Sequence, residues 1–225
     1  MKYFSLQQLL AGVICCAVCL AAPGISLAAA GAIAESAAEI SPVRVGETAP
    51  GFEVVAVDGE RFSFDPLALD KPVILISFRG GWCPYCNFHL SELRQVIPEI
   101  RDLGIDVLFL SGDRPEILYA SLTAEAQADI GALDYRIYSD ASGDAAIALG
   151  IAFAAAERTI KRRYERGQDI KDSSMEQRGI LPVPAVIAVN ARGIVSYVYT
   201  NADYKVRLPA EDLLEVARSI TESSR

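Results

Sequence analysis

One stretch constrains this chain more than any other. Residues Val73–Phe78 (VILISF) run apolar without a break, as in a strand buried on both faces of a sheet. Arg79-Gly80-Gly81-Trp82-Cys83-Pro84-Tyr85-Cys86 follows at once. Helical spacing then begins, with Leu90, Leu93, Val96 or Ile97, Ile100 and Leu103, and Gly104 as a stop. Two cysteines two residues apart therefore sit where a buried strand turns into a helix. Unpaired backbone N–H groups and the positive end of the helix dipole favour thiolate over thiol there. A second thiol one turn on can attack whatever the first has captured and release it as an internal disulfide. Proline is at home in the first turn of a helix and stiffens the loop.

The remaining cysteines sharpen this point. The chain holds five in 225 residues, too few for a small disulfide-stapled scaffold. Cys15, Cys16 and Cys19 lie in the apolar run Leu9–Leu20. That run follows a start whose one charge is Lys2, and it precedes Pro23-Gly24 and Ala28-Ala29-Ala30. This is the order of a secretory signal, expected over residues 1–30, with cleavage after Ala28 or Ala30. Retained instead, the segment is long enough to act as a membrane anchor. Cleavage leaves a periplasmic or secreted chain whose cysteines are Cys83 and Cys86 alone. A loop that short removes little unfolded-chain entropy, so the pair is better explained by chemistry than by stapling. The net charge of −8 argues against nucleic acid as a partner, and a 52% hydrophobic content argues against disorder.

The rest reads as one α/β domain over 45–222, after a small, polar linker at 31–44. Residues 52–57 and 61–64 flank Asp58-Gly59 as an N-terminal hairpin. Ile105–Leu110 is the next strand, and Pro98 is expected to kink or shorten the helix before it. A helix is expected around 115–130, a strand near 135–138 and a short helix at 144–149. A last strand pair (185–189 and 194–200) surrounds the turn Asn190–Gly193, and a helix starts at Pro209. The charged stretch 151–179 reads as an inserted helical segment.

Several of these stretches resemble one family. WCPYC resembles the active sites of thioredoxin-like proteins, with CPYC the glutaredoxin form. Gly46-Glu47-Thr48-Ala49-Pro50-Gly51-Phe52, Tyr138-Ser139-Asp140-Ala141-Ser142-Gly143-Asp144 and Asn190-Ala191-Arg192-Gly193-Ile194-Val195 are similar to the opening, middle and late hairpin of the alkyl hydroperoxide reductase C / thiol-specific antioxidant family, the peroxiredoxins and their relatives. The resemblance implies a thioredoxin fold, a central mixed β-sheet flanked by helices, and thiol redox chemistry without a cofactor. It implies peroxide reduction at a cysteine, with the disulfide recycled by a thioredoxin-like reductant. Cys83 is the nucleophile and Cys86 the resolving thiol by similarity to thioredoxin-like sites; the peroxiredoxin register leaves the reverse open. That register also departs from Pro-x-x-x-Thr-x-x-Cys. With Cys86 in place, Cys83 and Arg79 replace Thr and Pro; with Cys83 in place, Gly80 replaces Thr. Exchange with protein disulfides is thus the alternative, and a static or metal-holding cysteine pair, with His89 as a third ligand, is the non-catalytic one.

Around the pair, Trp82 is expected to shield the thiols and shape the docking surface, and Pro84 and Tyr85 to support the site. Arg79 is read either as a charge beside the thiolate or as a solvated loop residue. His89 is expected on the helix surface. Pro184 is expected beside the dithiol as a cis-proline, by resemblance to thioredoxin-like folds.

Overall fold

The computed structural model describes residues 31–120 and 136–222. The secretory segment, and the residues beyond 120 expected to continue a helix, fall outside them; a short 3-10 turn at Pro115–Ile117 is what is described of that helix.

Nine strands form among the described residues. Seven of them, β1 (Phe52–Ala56), β2 (Arg61–Phe64), β3 (Val73–Phe78), β4 (Asp106–Ser111), β5 (Arg136–Ser139), β8 (Ala185–Val189) and β9 (Val195–Thr200), make one sheet in the order β2-β1-β5-β4-β3-β8-β9. The sheet is mixed. β3 pairs in parallel with β4 and antiparallel with β8, so the strand that leads into the cysteines lies between two partners. The expected N-terminal hairpin is β1–β2, antiparallel from Phe52–Phe64 to Val55–Arg61.

The continuous apolar runs supply both faces because side chains alternate along a strand. Ile74, Ile76 and Phe78 of β3 join Val107 and Phe109 of β4 on one face. Val73 and Leu75 join Leu108 and Leu110 on the other. Helices α1 (Pro84–Leu93), α2 (Ile97–Asp102) and α6 (Ala210–Glu222) cover the first face through Leu90, Leu93, Ile97, Ile100, Leu213 and Ala217. α3 (Asp144–Ala148) covers the second through Ala145 and Ala146. Pro98 acts as its chemistry requires. It divides the helical pattern after Leu93 and sits in the first turn of α2, where its missing N–H costs nothing.

The inserted segment carries more than helix. β6 (Ala152–Ala154) and β7 (Ile180–Pro182) pair antiparallel as a second small sheet, and α4 (Glu157–Glu165) and α5 (Ser174–Arg178) lie between them. Residues 31–44, expected as a linker, instead lie against the body. Ala34 exchanges backbone hydrogen bonds with Ala152 and Ala154, and the Val43 N–H donates to the Leu149 carbonyl at 3.1 Å. Ile40 and Val43 pack on the second cluster. The edge of β6 has free backbone groups, and a small-residue chain can approach closely enough to pair with them.

Candidate active site

β3 ends at Phe78, and the next four residues swing the chain over the edge of the first face. Gly80 holds φ +143°, and a Cβ there would stand 2.5 Å from Trp82 Nε1 and 2.6 Å from Asp113 Oδ1. Only glycine fits that turn. The Gly81 N–H donates to Asp113 Oδ2 at 2.7 Å, and the Asn87 amide donates to the Gly81 and Cys83 carbonyls at 2.6 and 3.2 Å. A buried aspartate beyond β4 and an asparagine on α1 thus hold the loop from both sides.

Cys83 is the N-cap residue of α1, with extended backbone, and Pro84 follows in the first turn. Cys86 lies one turn on. Both are free thiols, 1% and 0% exposed. Their environments separate them. Cys83 is lowered from 9.0 to about 6, first by the Cys86 thiol donating to its sulfur, against a desolvation cost, and further by the Cys86 backbone N–H and the charges of Arg79 and Arg207. Cys86 moves the other way, well above its ordinary range, because it is fully buried beside a neighbouring thiolate. One sulfur is a thiolate near neutral pH, and the other keeps its proton and donates it as a hydrogen bond. The largest cause is thus the partner thiol, and the helix terminus adds the Cys86 backbone N–H as a smaller one.

A cover explains the burial. Arg207 Nη2 donates to Cys86 Sγ at 3.3 Å. Arg79 is 7% exposed and stacks between Trp82 (5.3 Å) and Tyr204 (4.5 Å). Arg163, from α4, lies over the same Trp82 ring at 4.4 Å. Gln168 Nε2 donates to the Trp82 carbonyl at 2.9 Å. Tyr85 meets Tyr204 edge to face and is exposed at the rim, as is Phe88. The inserted segment and the loop before α6 therefore close over the sulfurs. Arg79 is not a solvated loop residue.

Two expectations change. His89 is 5% exposed rather than on the surface. Its Nε2 donates to the Leu208 carbonyl at 3.0 Å, and burial lowers it to about 4. The arrival of the Leu208 chain over α1, 119 residues away, causes this. Pro184 lines a small cavity with Ser77, His89, Arg207 and Leu208, but no cis peptide bond occurs among the described residues, so the Val183–Pro184 bond is trans. Trans is the ordinary preference, and it leaves the Val183 N–H bonded to the Ile151 carbonyl at 2.8 Å.

The residues that local reading passed over are Arg163, Gln168, Tyr204, Arg207, Asn87 and Asp113. Asp113 alone carried a legible signal, as an acid just past the end of an apolar strand, where sites in open α/β sheets gather.

The model of the AhpC/TSA family matches residues 45–198. The chain belongs to that family. It is also similar to the thiol-disulfide oxidoreductase ResA of Halalkalibacterium halodurans, 23% identical over 72% of each chain. To peroxiredoxin Bcp of Escherichia coli it is 29% identical over 35% of this chain and 50% of that one. For several curated relatives the match spans about half their length, as with 45% of ResA from Bacillus cereus. Among solved structures, reduced Prx3 of Vibrio vulnificus in complex with hydrogen peroxide superposes with a TM-score of 0.60 at 17% identity, over 78% of this chain and 99% of that one. Helices and mixed sheet are those of the thioredoxin-fold peroxiredoxins.

Proposed function

We propose that residues 45–222 form an exported thiol redox enzyme in which Cys83 attacks a small electrophile, foremost a peroxide, and Cys86 resolves the product. The observation that carries this reading is the geometry of the pair: Cys83 caps α1, Cys86 lies one turn on with Arg207 Nη2 3.3 Å from its sulfur, and this setting lowers Cys83 to about 6 while burial raises Cys86. The Cys83 thiolate attacks one peroxide oxygen and the O–O bond breaks. The departing oxygen takes a proton as water or alcohol, and Cys83 is left as a sulfenic acid. The Cys86 thiol then attacks that sulfur. Water leaves, and a Cys83–Cys86 disulfide holds the two oxidising equivalents. A thioredoxin-like dithiol returns the pair to its reduced form by exchange. The closed cover supports a small oxidant, and the guanidinium N–H groups of Arg79 and Arg207 are at hand to polarise a peroxide where the family's hydroxyl is missing.

Exchange with protein disulfides is the second reading, supported by the long match to a thiol-disulfide oxidoreductase and by exposed Tyr85 and Phe88 at the rim. Counting thiols in the reduced mature chain separates them. Peroxide reduction predicts loss of both thiols with hydrogen peroxide, no loss in Cys83→Ser, and a trapped sulfenic acid in Cys86→Ser. Loss only with a disulfide substrate supports exchange, and no loss with either overturns both. The leader sequence supports export; comparing chain mass and fraction after expression in a bacterium tests it.

A further inference from the structure

Three guanidiniums stand around the sulfurs, more positive charge than one thiolate balances. Arg79 follows β3, Arg163 comes from α4 and Arg207 precedes α6, and they converge on Trp82, Tyr204 and Cys86. The Nε of each is buried without a hydrogen-bond partner. Among the described residues no carboxylate makes an ion pair with any of the three. Elsewhere the chain does pair a part-buried guanidinium with a carboxylate. Arg114 grips Asp169 with two bonds of 2.8 and 2.7 Å. At the site the charges work against each other, and burial together with the Arg79 charge lowers Arg163. Unpaired buried donors are costly, and such costs persist where a ligand removes them.

We propose that Arg163 and Arg207, backed by Arg79, form a carboxylate-binding subsite at the mouth of the dithiol, so that the preferred electrophile is a small molecule bearing a carboxylate beside its reactive bond. This rests on the redox reading of Cys83. Guanidinium matches a carboxylate in a planar, two-bond geometry that lysine lacks. The carboxylate is a handle and does not react. With a disulfide RS–SR, the Cys83 thiolate attacks one sulfur, the S–S bond breaks and RS⁻ leaves with the electron pair. Cys86 gives up its proton, attacks Cys83 and expels the second RS⁻. The substrate is reduced to two thiols and the cysteine pair is oxidised to a disulfide. The inserted segment thereby gains a task, since α4 carries Arg163.

Three disulfides of like size test this on the reduced mature chain: dithiodipropionate (dianionic), hydroxyethyl disulfide (neutral) and cystamine (dicationic). Oxidation is followed by the fluorescence of Trp82, the sole tryptophan, and each rate is divided by that of a free model thiol. The expected order is anion, neutral, cation, with an anion-to-neutral ratio of about tenfold or more at low salt, falling as ionic strength screens the charges. Arg163→Gln should reduce that ratio several-fold, chiefly through KM, and Arg163→Lys should restore part of it. Equal normalised rates for the three probes, no reaction with any of them, or a ratio untouched by Arg163→Gln overturns the subsite while hydrogen peroxide still oxidises the pair. Failure of all three disulfides and of hydrogen peroxide overturns the redox reading, and the subsite with it.

Discussion

Replacing Cys86 by alanine removes the group that does most to hold Cys83 as a thiolate. In the native site Cys83 is lowered from 9.0 to about 6. That difference is worth roughly 4 kcal/mol, at about 1.4 kcal/mol per pH unit. It makes Cys83 about nine-tenths ionised at neutral pH, against about one-hundredth for an unperturbed thiol. The Cys86 hydrogen bond is the largest cause and desolvation opposes it. In Cys86→Ala the desolvation stays and the donor goes, so the Cys83 midpoint should climb by at least about one unit, a tenfold loss of thiolate below it. Cys86→Ser keeps an O–H donor and should hold the midpoint near that of the wild type. Thiolate absorbance against pH reads both variants directly in a chain that starts at residue 31, which then has one cysteine. The same shift acts on stability. A depressed thiol pKa stabilises the fold above the unfolded value near 9, and that stabilisation is lost as pH falls through about 6. Reduced wild type should therefore weaken over that window, and Cys86→Ala should weaken less. A Cys86→Ala midpoint still near 6, or equal shifts in the alanine and serine variants, would refute the reasoning.

Two further outcomes follow from the same site. Gly80→Ala forces a Cβ into Trp82 and Asp113 at a positive φ, and should cost about 1–3 kcal/mol in urea unfolding and alter Trp82 fluorescence. His89 is lowered to about 4 by burial. It stabilises the fold above its ordinary 6.5, and that contribution fades as pH falls toward 4; Gln at position 89 retains a donor for the Leu208 carbonyl and should flatten this part of the denaturation profile.

Much of the fold was legible because its signals are local. The VILISF run, the turn at Asn190–Gly193 and the proline that restarts a helix each act within a few residues. The cysteine pair was legible for the same reason. Arg207 was not, for it reaches Cys86 from 121 residues away, and nothing around Val206-Arg207-Leu208 marks it out. Arg163 lies in the charged run Lys161-Arg162-Arg163, where one arginine reads like the next. The burial of His89 and Arg79 depends on chain that arrives from elsewhere. Small polar composition made 31–44 look like a tether, because backbone pairing with an edge leaves no mark in side-chain chemistry.

The strand that launches the cysteines has neighbours on both sides, whereas β2 and β9 form the rims of the sheet. Trimming or lengthening a rim strand leaves the centre in register. Deleting one residue from Val73–Phe78 does not: every following side chain trades faces, and the loop retreats by about 3.3 Å. Engineered insertions should therefore be tolerated at the hairpin between β1 and β2 and fail within β3, where a change of length is a change of chemistry.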